Sequence, residues 1–346
     1  MFVPTRRQLL QAAALTSLAG AGWCAFAQDK PEKPRLTMGV GGKAGFYYLP
    51  LTIAEQLGYF KAEGLEVDIR DFDGGSQALK AAQAGAVDVV SGAYEHTIGL
   101  QARGQMYQAF VLQGRAPQIA MGVSPKTLPH YRQLSDLKGR RIGVSAPGSS
   151  TNMVANLVLA RAGIRPQDVQ FVGVGTSAGA LRAFRMGEID ALSNIDPVMT
   201  LLEKSGEIRI VSDTRTLKGT KDVFGGPMPA ACLYASQAFI DRHPQTCQAL
   251  ANGVVHALKW LQTAGPSDII NAVPESYMLG DRGLYLAAFN KVRDALAVDG
   301  LMPEAGPPTA LRSLALVDEL VRVDRIDLAR TFTNQFAQRA KLKYRA

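Results

Sequence analysis

Gly175-Thr176-Ser177-Ala178-Gly179 is a Gly-x-Ser-x-Gly stretch between a predicted strand and a predicted helix. A nucleophile elbow needs that context, because the sharp turn lifts the serine oxygen clear of the sheet. Acyl transfer would also need an acid and a histidine downstream. Only His243 and His256 follow, both in a helical stretch. The matching upstream element, Gly74-Gly75-Ser76, lacks the pattern. A Gly/Ser-rich helix start that presents backbone N–H groups accounts for both copies, so a hydrolase using Ser177 is the less favoured reading. Gly39-Val40-Gly41-Gly42-Lys43-Ala44 loosely follows a dinucleotide fingerprint. Residues 45–50 intervene before any helix, and Pro50 disfavours helical backbone at Leu49. Lys43 lacks the Ser/Thr and the glycine spacing of a phosphate loop. The histidines, His96, His130, His243 and His256, stand at no metal-ligand spacing, and the cysteines form no pair motif. Each histidine reads as a surface or capped residue. No metal and no cofactor are expected.

The remaining chemistry is polar and lies at predicted strand ends, where open α/β sheets bind ligands. The candidate ligand-binding residues are Lys43, Tyr47 and Tyr48; Gly75, Ser76 and Gln77; and Ser91 and Tyr94. Beyond residue 117 they are Ser149, Ser150, Thr151 and Asn152; Ser177; and Asn194 and Asp196. Glu95, His96 and Thr176 share these strand ends. Several of the positions start helices, where free N–H groups and the helix dipole favour an anion. Capping explains any single Ser, Thr or Asn equally well. The set, facing one cleft, favours binding. Lys43 is its nearest cation, and Tyr47, Tyr48 and Tyr94 offer flat apolar walls. A small organic anion is expected, sulfonate first and an aromatic carboxylate second.

Two similar stretches position these residues. Ala78 to Ser91 and Ala180 to Ser193 lie 102 residues apart and share one pattern: an Ala-rich helix, a glycine, then a short strand. Gly85 and Gly187 suit the left-handed position that ends many helices. The apolar strand after each should be buried on both faces. A repeat of this length implies two similar α/β lobes with a cleft between them.

In the first lobe, strands are predicted at 35–40, 65–72, 87–91 and 107–112. In the second they fall at 141–145, 169–174, 189–193 and 208–212. Residues 118–123 and 231–235 read as strands that cross between lobes. Strands alternating with helices imply mostly parallel sheets. From Gln237 onward the apolar spacing is helical, with helices predicted at 238–262, 284–297 and 310–322. This unduplicated tail should extend the first lobe. The expected division is 1–27 as an export signal, 28–116 with 230–346 as lobe I, and 117–229 as lobe II.

The chain has 346 residues and a net charge of +8. Arg6-Arg7, the apolar run from Leu9 to Trp23 and Ala25-Phe26-Ala27 read as an export signal with a small-x-small cleavage site. Thr5-Arg6-Arg7-Gln8-Leu9-Leu10 resembles a twin-arginine signal, which exports folded protein; the general secretory route is the alternative. Cleavage near Gln28 would leave a net charge of +6 with no basic stripe, so nucleic acid is not an expected partner. Cys232 and Cys247 would remain. They read either as separate buried thiols or as a disulfide contributing roughly 3 kcal/mol.

Further stretches carry a family resemblance. They are Tyr48-Leu49-Pro50-Leu51, Ala54-Glu55-Gln56-Leu57-Gly58-Tyr59-Phe60 and Glu63-Gly64-Leu65-Glu66-Val67. Leu134 to Val144 and Pro147-Gly148-Ser149-Ser150-Thr151 add to them. Together they resemble the nitrate/sulfonate/taurine-type substrate-binding proteins of ABC importers. The resemblance implies a type II periplasmic-binding fold and a periplasmic, monomeric receptor that closes on its ligand. The implied partners are a membrane permease and its ATPase. By position, the ligand-holding loops would be 42–48, 75–77, 91–94, 149–152 and 194–197. That family also holds thiamine-pyrimidine binders and pyrimidine-precursor synthases. The synthases carry a Cys-rich iron motif that this chain lacks. Asn152 and Met153 depart from the aromatic or basic residue that sulfonate binders often place after the Ser-Thr pair, and a heterocyclic ligand would also suit. A bilobal sensor without an importer is the other alternative.

Overall fold

Strands and helices alternate along the first third of the chain because β-branched runs are punctuated by Ala-rich stretches and glycines. The order is β1 (Arg35–Val40), α1 (Leu49–Gln56), α2 (Tyr59–Ala62), β2 (Glu66–Asp71), α3 (Gly75–Gln83), β3 (Val89–Ala93), α4 (Glu95–Ala102) and β4 (Tyr107–Leu112). The structure is a computed structural model that describes residues 30–346. The export-signal reading of 1–27 lies outside the described residues.

The second round is β5 (Ile119–Val123), β6 (Arg141–Val144), α5 (Ser150–Ala160), β7 (Gln170–Gly173), α6 (Ala178–Met186), β8 (Ala191–Ile195), α7 (Val198–Lys204), β9 (Arg209–Asp213) and α8 (Leu217–Phe224). The repeat is real in three dimensions. α3 and α6 both stop at glycines in left-handed backbone, Gly85 at φ +72° and Gly187 at φ +73°. Both following strands, β3 and β8, are buried along their whole length. They pair in parallel with β1 and β6 through equivalent contacts, Met38 with Val89 and Ile142 with Ala191.

The strands form two five-stranded sheets, ordered β2-β1-β3-β10-β4 and β7-β6-β8-β5-β9. β10 (Ala231–Ser236) returns to the first sheet and lies antiparallel between β3 and β4. β5 lies antiparallel between β8 and β9 in the second. Each crossing strand is thus built into the sheet it enters, and the other pairings with β1 and β6 are parallel.

The tail is α9 (Gln237–Arg242), α10 (Pro244–Thr263), α11 (Pro266–Ala272), α12 (Arg282–Val292), α13 (Gly306–Ala315) and α14 (Gln335–Tyr344). The single helix expected over 238–262 is therefore two. Pro244 has no N–H to continue the first helix and instead opens the second, and His243 breaks the helical backbone at φ −133°, ψ 52°. The helix expected at 310–322 begins earlier and ends at Ala315. Pro307 stands in its first turn, where a missing N–H costs nothing.

α10 packs against α1, α2 and α14. The buried Glu63 carboxylate fastens α14 there: it accepts from Asn252 Nδ2 at 2.7 Å, from Lys343 Nζ and from the Tyr344 hydroxyl. Cys232 and Cys247 are free thiols, both buried. Among the described residues, no helix is long and apolar enough to cross a membrane.

Candidate ligand-binding site

The carboxyl ends of the two sheets face each other, and small residues let the two sides touch. Gly42 lies so near Thr176 that an added Cβ would fall 1.9 Å from Oγ1. A Cβ on Gly45 would fall 2.1 Å from Ile195 Cδ1, and one on Gly74 2.7 Å from Ala146 Cβ. Asp71, at the end of β2, holds the Gly-rich loop by accepting from the N–H groups of Gly42 and Lys43, each at 2.9 Å. Direct hydrogen bonds then join the sides. Ser76 N–H donates to Ser149 Oγ at 3.0 Å, Ser76 Oγ to the Pro147 carbonyl at 2.9 Å, and Phe46 N–H to the Asp196 carbonyl at 3.0 Å.

Between these contacts lies a cavity of about 20 Å³, roughly the room one water molecule needs. Tyr47, Tyr48, Gly75 and His96 line it from the first sheet, and Ser145, Ser149, Ser150, Thr151 and Thr176 from the second. Ile119 and Ile195 add apolar surface. Among the described residues, no Lys or Arg lines it. The Ser150 hydroxyl faces both the Tyr47 phenol and the Glu95 carboxyl. Yet Tyr47 OH, Glu95 Oε1 and His96 Nε2 have no partner with hydrogen-bond geometry. Burial raises the Glu95 carboxyl above its ordinary range and drives the Tyr47 phenol well above its own. Burial pushes His96 down to about 4, so its ring is neutral near pH 7. The Tyr234 hydroxyl lies 3.1 Å from His96 Nδ1 and fixes the ring. Buried polar atoms without partners are costly, and a ligand's donors and acceptors would relieve them.

Of the residues singled out in the sequence, Tyr47, Tyr48, Gly75, Ser149, Ser150 and Thr151 meet at this cavity. The others are employed elsewhere. Lys43 Nζ is 2.6 Å from Glu55 Oε2, which neutralises the one cation the anion expectation relied on. Ser91 Oγ accepts from Gln113 Nε2 at 2.9 Å, and the Tyr94 hydroxyl turns away to Thr331 Oγ1 at 2.6 Å. Asn152 Oδ1 caps Gly148 N–H, and Asn194 Nδ2 donates to the Gly175 carbonyl. Asp196 Oδ1 accepts from Thr200 N–H at 2.7 Å and stands 3.4 Å from the buried Arg215. Ser76 joins the two sides directly, Gln77 is exposed, and Ser177 starts α6.

His96 is neither a surface nor a helix-capping histidine but part of the wall. Its place after β3 was the only available signal, as Thr176's was its place after β7. Gly41, Ser145 and Ile119 had no distinguishing signal, and Ile195 had only its place in the 194–197 loop. The other ring partners weaken any triad at Ser177: His243 packs on Phe239, and His256 is stacked between Tyr59 and Tyr344. Among the described residues, none of the histidines is hydrogen-bonded to Ser177, and no His, Cys, Asp or Glu cluster could hold a metal.

Two α/β sheets that exchange crossing strands and close a cleft at their carboxyl ends define a two-lobed periplasmic-binding-protein fold. The alkanesulfonate-binding protein SsuA of Xanthomonas axonopodis pv. citri, solved bound to MOPS, has the same fold. It is 20% identical with a TM-score of 0.65, over 87% of this chain and 98% of that one. The chain belongs to the NMT1-like family, whose model matches residues 29–273. A solved protein of Bordetella bronchiseptica RB50 is 56% identical, with a TM-score of 0.91 over 92% of this chain and all of that one. The taurine-binding periplasmic protein of Escherichia coli (strain K12) is 27% identical over 201 residues, 58% of each chain. Seven of the curated relatives are named as binding proteins and one, from Schizosaccharomyces pombe, as a pyrimidine phosphate synthase.

Proposed function

We propose that this protein is the exported solute receptor of an ABC importer. It captures a small organic molecule between its lobes and hands it to a membrane permease driven by an ATPase. One observation carries the reading: polar groups from the carboxyl ends of both sheets converge on one cavity. A ligand that touches both sides is held best when the lobes are shut, so it shifts the population toward that form. The hinge would be the two crossings, with 28–116 plus 230–346 moving against 117–229. The names of the relatives support the binding role, and the protein works as a monomer without covalent chemistry. Micromolar affinity, about −8 kcal/mol, would suit capture followed by release.

The ligand this cleft favours is polar and held by hydroxyls, N–H groups and tyrosine faces rather than by a fixed cation. An organic anion such as a sulfonate is the second reading. It is supported by the α5 N-terminus at Ser149 and Ser150 and by the relatives' names. Glu95 weighs against it, since a carboxyl already faces that helix start.

A thermal-shift screen of the mature chain against sulfonates, nitrate, aromatic acids, pyrimidines and amino acids tests the proposal. At least one compound should raise the melting temperature and reduce the radius of gyration in small-angle scattering. A screen without hits, or a tight ligand that leaves the radius unchanged, overturns it. The exported chain should begin near Gln28. Material purified from the periplasm that still begins at Met1 would overturn the cleavage reading alone.

A further inference from the structure

A second opening adjoins the cleft. It holds about 390 Å³, within the range of small-molecule sites, and shares His96, Ser149 and Ser150 with the inner cavity. α3 and α4 form one wall, the turn before α5 and its first residues another, and Leu314 and Asp318 from the tail close the end. Its chemistry is graded. The inner end carries Glu95 and His96, at 3% and 9% exposure, with Glu95 Oε1 and His96 Nε2 unpartnered. The middle is apolar, with Leu79, Leu100 and Met153. The outer end carries Lys80 and Arg103. Asp318 engages Arg103 at 2.9 Å, whereas among the described residues no hydrogen bond or ion pair holds the Lys80 ammonium.

From this grading we infer that the groove seats an elongated amphipathic ligand: a nitrogen donor end at Glu95 and His96, an apolar body, and an acidic group at Lys80. The inference rests on the receptor reading and extends it from the inner cavity to the groove. The order of the groups follows from solvation. A buried carboxyl with one unpartnered oxygen gains most from a donor or an ammonium group. A carboxylate at the other end keeps its water and still meets a mobile ammonium. A compact anion offers no donor to the inner end and no second group for the outer one.

Calorimetry on the mature chain, with 8-aminooctanoate, octanoate and octylamine as probes, tests the assignment. The amino acid should bind at least about tenfold more tightly than either single-ended analogue. Lys80→Glu, an exposed substitution that folding should tolerate, should weaken 8-aminooctanoate about fivefold and octylamine much less. Glu95→Gln should weaken both amines and spare octanoate. Equal binding of all three probes, no binding of 8-aminooctanoate, or no effect of Lys80→Glu on it would overturn the groove assignment. The receptor reading has its own outcome: a compound from the broader screen that closes the lobes and ignores Lys80→Glu leaves that reading standing and this one lost.

Discussion

The two lobes share a scaffold and differ in chemistry. Their sheets have the same order and their repeat helices the same glycine stops, yet they bring opposite kinds of groups to the cleft. Lobe I contributes large or ionisable side chains: Tyr47, Tyr48 and His96 at the inner cavity, and Glu95 at the groove that adjoins it. Lobe II contributes short hydroxyls and helix starts: Ser149, Ser150, Thr151 and Thr176. The duplicate strand ends carry different side chains. A doubled fold fixes where a ligand can sit, while the residues at each strand end decide what it is. Lobe I also differs in its backing, since the tail helices pack on its strands and helices.

The contrast breaks most completely at Gly42, the point where the thin Gly-rich loop of lobe I meets Thr176. Gly42→Ala adds a Cβ where φ is +102° and Thr176 Oγ1 would lie 1.9 Å away. Overpacking of this kind costs typically 1–3 kcal/mol, so affinity should fall by about 10- to 100-fold. Scattering should show the variant failing to contract with ligand. A variant that contracts normally would mean that the lobes close elsewhere.

Thr151→Ala separates binding from support within lobe II. Thr151 Oγ1 accepts from Ser145 N–H at 2.9 Å and lies 2.8 Å from Ser145 Oγ, so much of its capacity is spent on holding its own strand end. The expected result is a stability loss of about 1–3 kcal/mol in denaturant unfolding, from the buried N–H left unsatisfied. A large affinity loss at unchanged stability would return Thr151 to the ligand.

The titratable groups of lobe I should give closure a pH dependence. Burial raises the Glu95 carboxyl, so its contribution to closure is whole below its ordinary pKa of 4.5 and is lost as pH rises through the raised value. His96, lowered from 6.5 to about 4, acts in the other direction. Its contribution is whole above 6.5 and is lost as pH falls toward 4. Glu95→Gln should therefore flatten the alkaline limb of a radius-against-pH profile and His96→Asn the acid limb. Unchanged limbs would show that these groups do not titrate with closure.

The smallest effect belongs to the direct bridge between lobes. Ser76→Ala removes the donation to the Pro147 carbonyl and should shift the opening equilibrium by about 0.5–1.5 kcal/mol. Hydrogen exchange at the 147–150 turn should quicken by a corresponding few-fold to tenfold. No change would mean that water replaces Ser76 at no cost.

Much of this architecture was legible because it depends on local rules. The period-two and buried-strand runs gave the ten strands of the described residues to within a few residues, and the duplicated helix-Gly-strand pattern gave two similar sheets. Residues 118–123 and 231–235 were readable as crossing strands because each apolar run followed a complete set of four. The tail was less legible: apolar spacing continues through His243 and Pro244, and only the backbone geometry there separates α9 from α10. At the cleft, strand ends marked where the cavity lies but could not say which way a side chain turns. Lys43 and Tyr94 illustrate the limit. Both stand at strand ends, yet Glu55 engages one and Thr331, 237 residues away, the other.

By itself, then, the sequence determined the elements, their duplication and the strand ends between which the cavity lies, since helix stops, burial patterns and strand ends arise from neighbours along the chain. Tertiary structure alone decided the electrostatics of that face. It paired Lys43 away, buried Glu95 and His96 with unpartnered atoms, and opened a groove toward Lys80. Charge and solvation depend on which distant residues come within a few ångströms, and no local pattern in the chain encodes that distance.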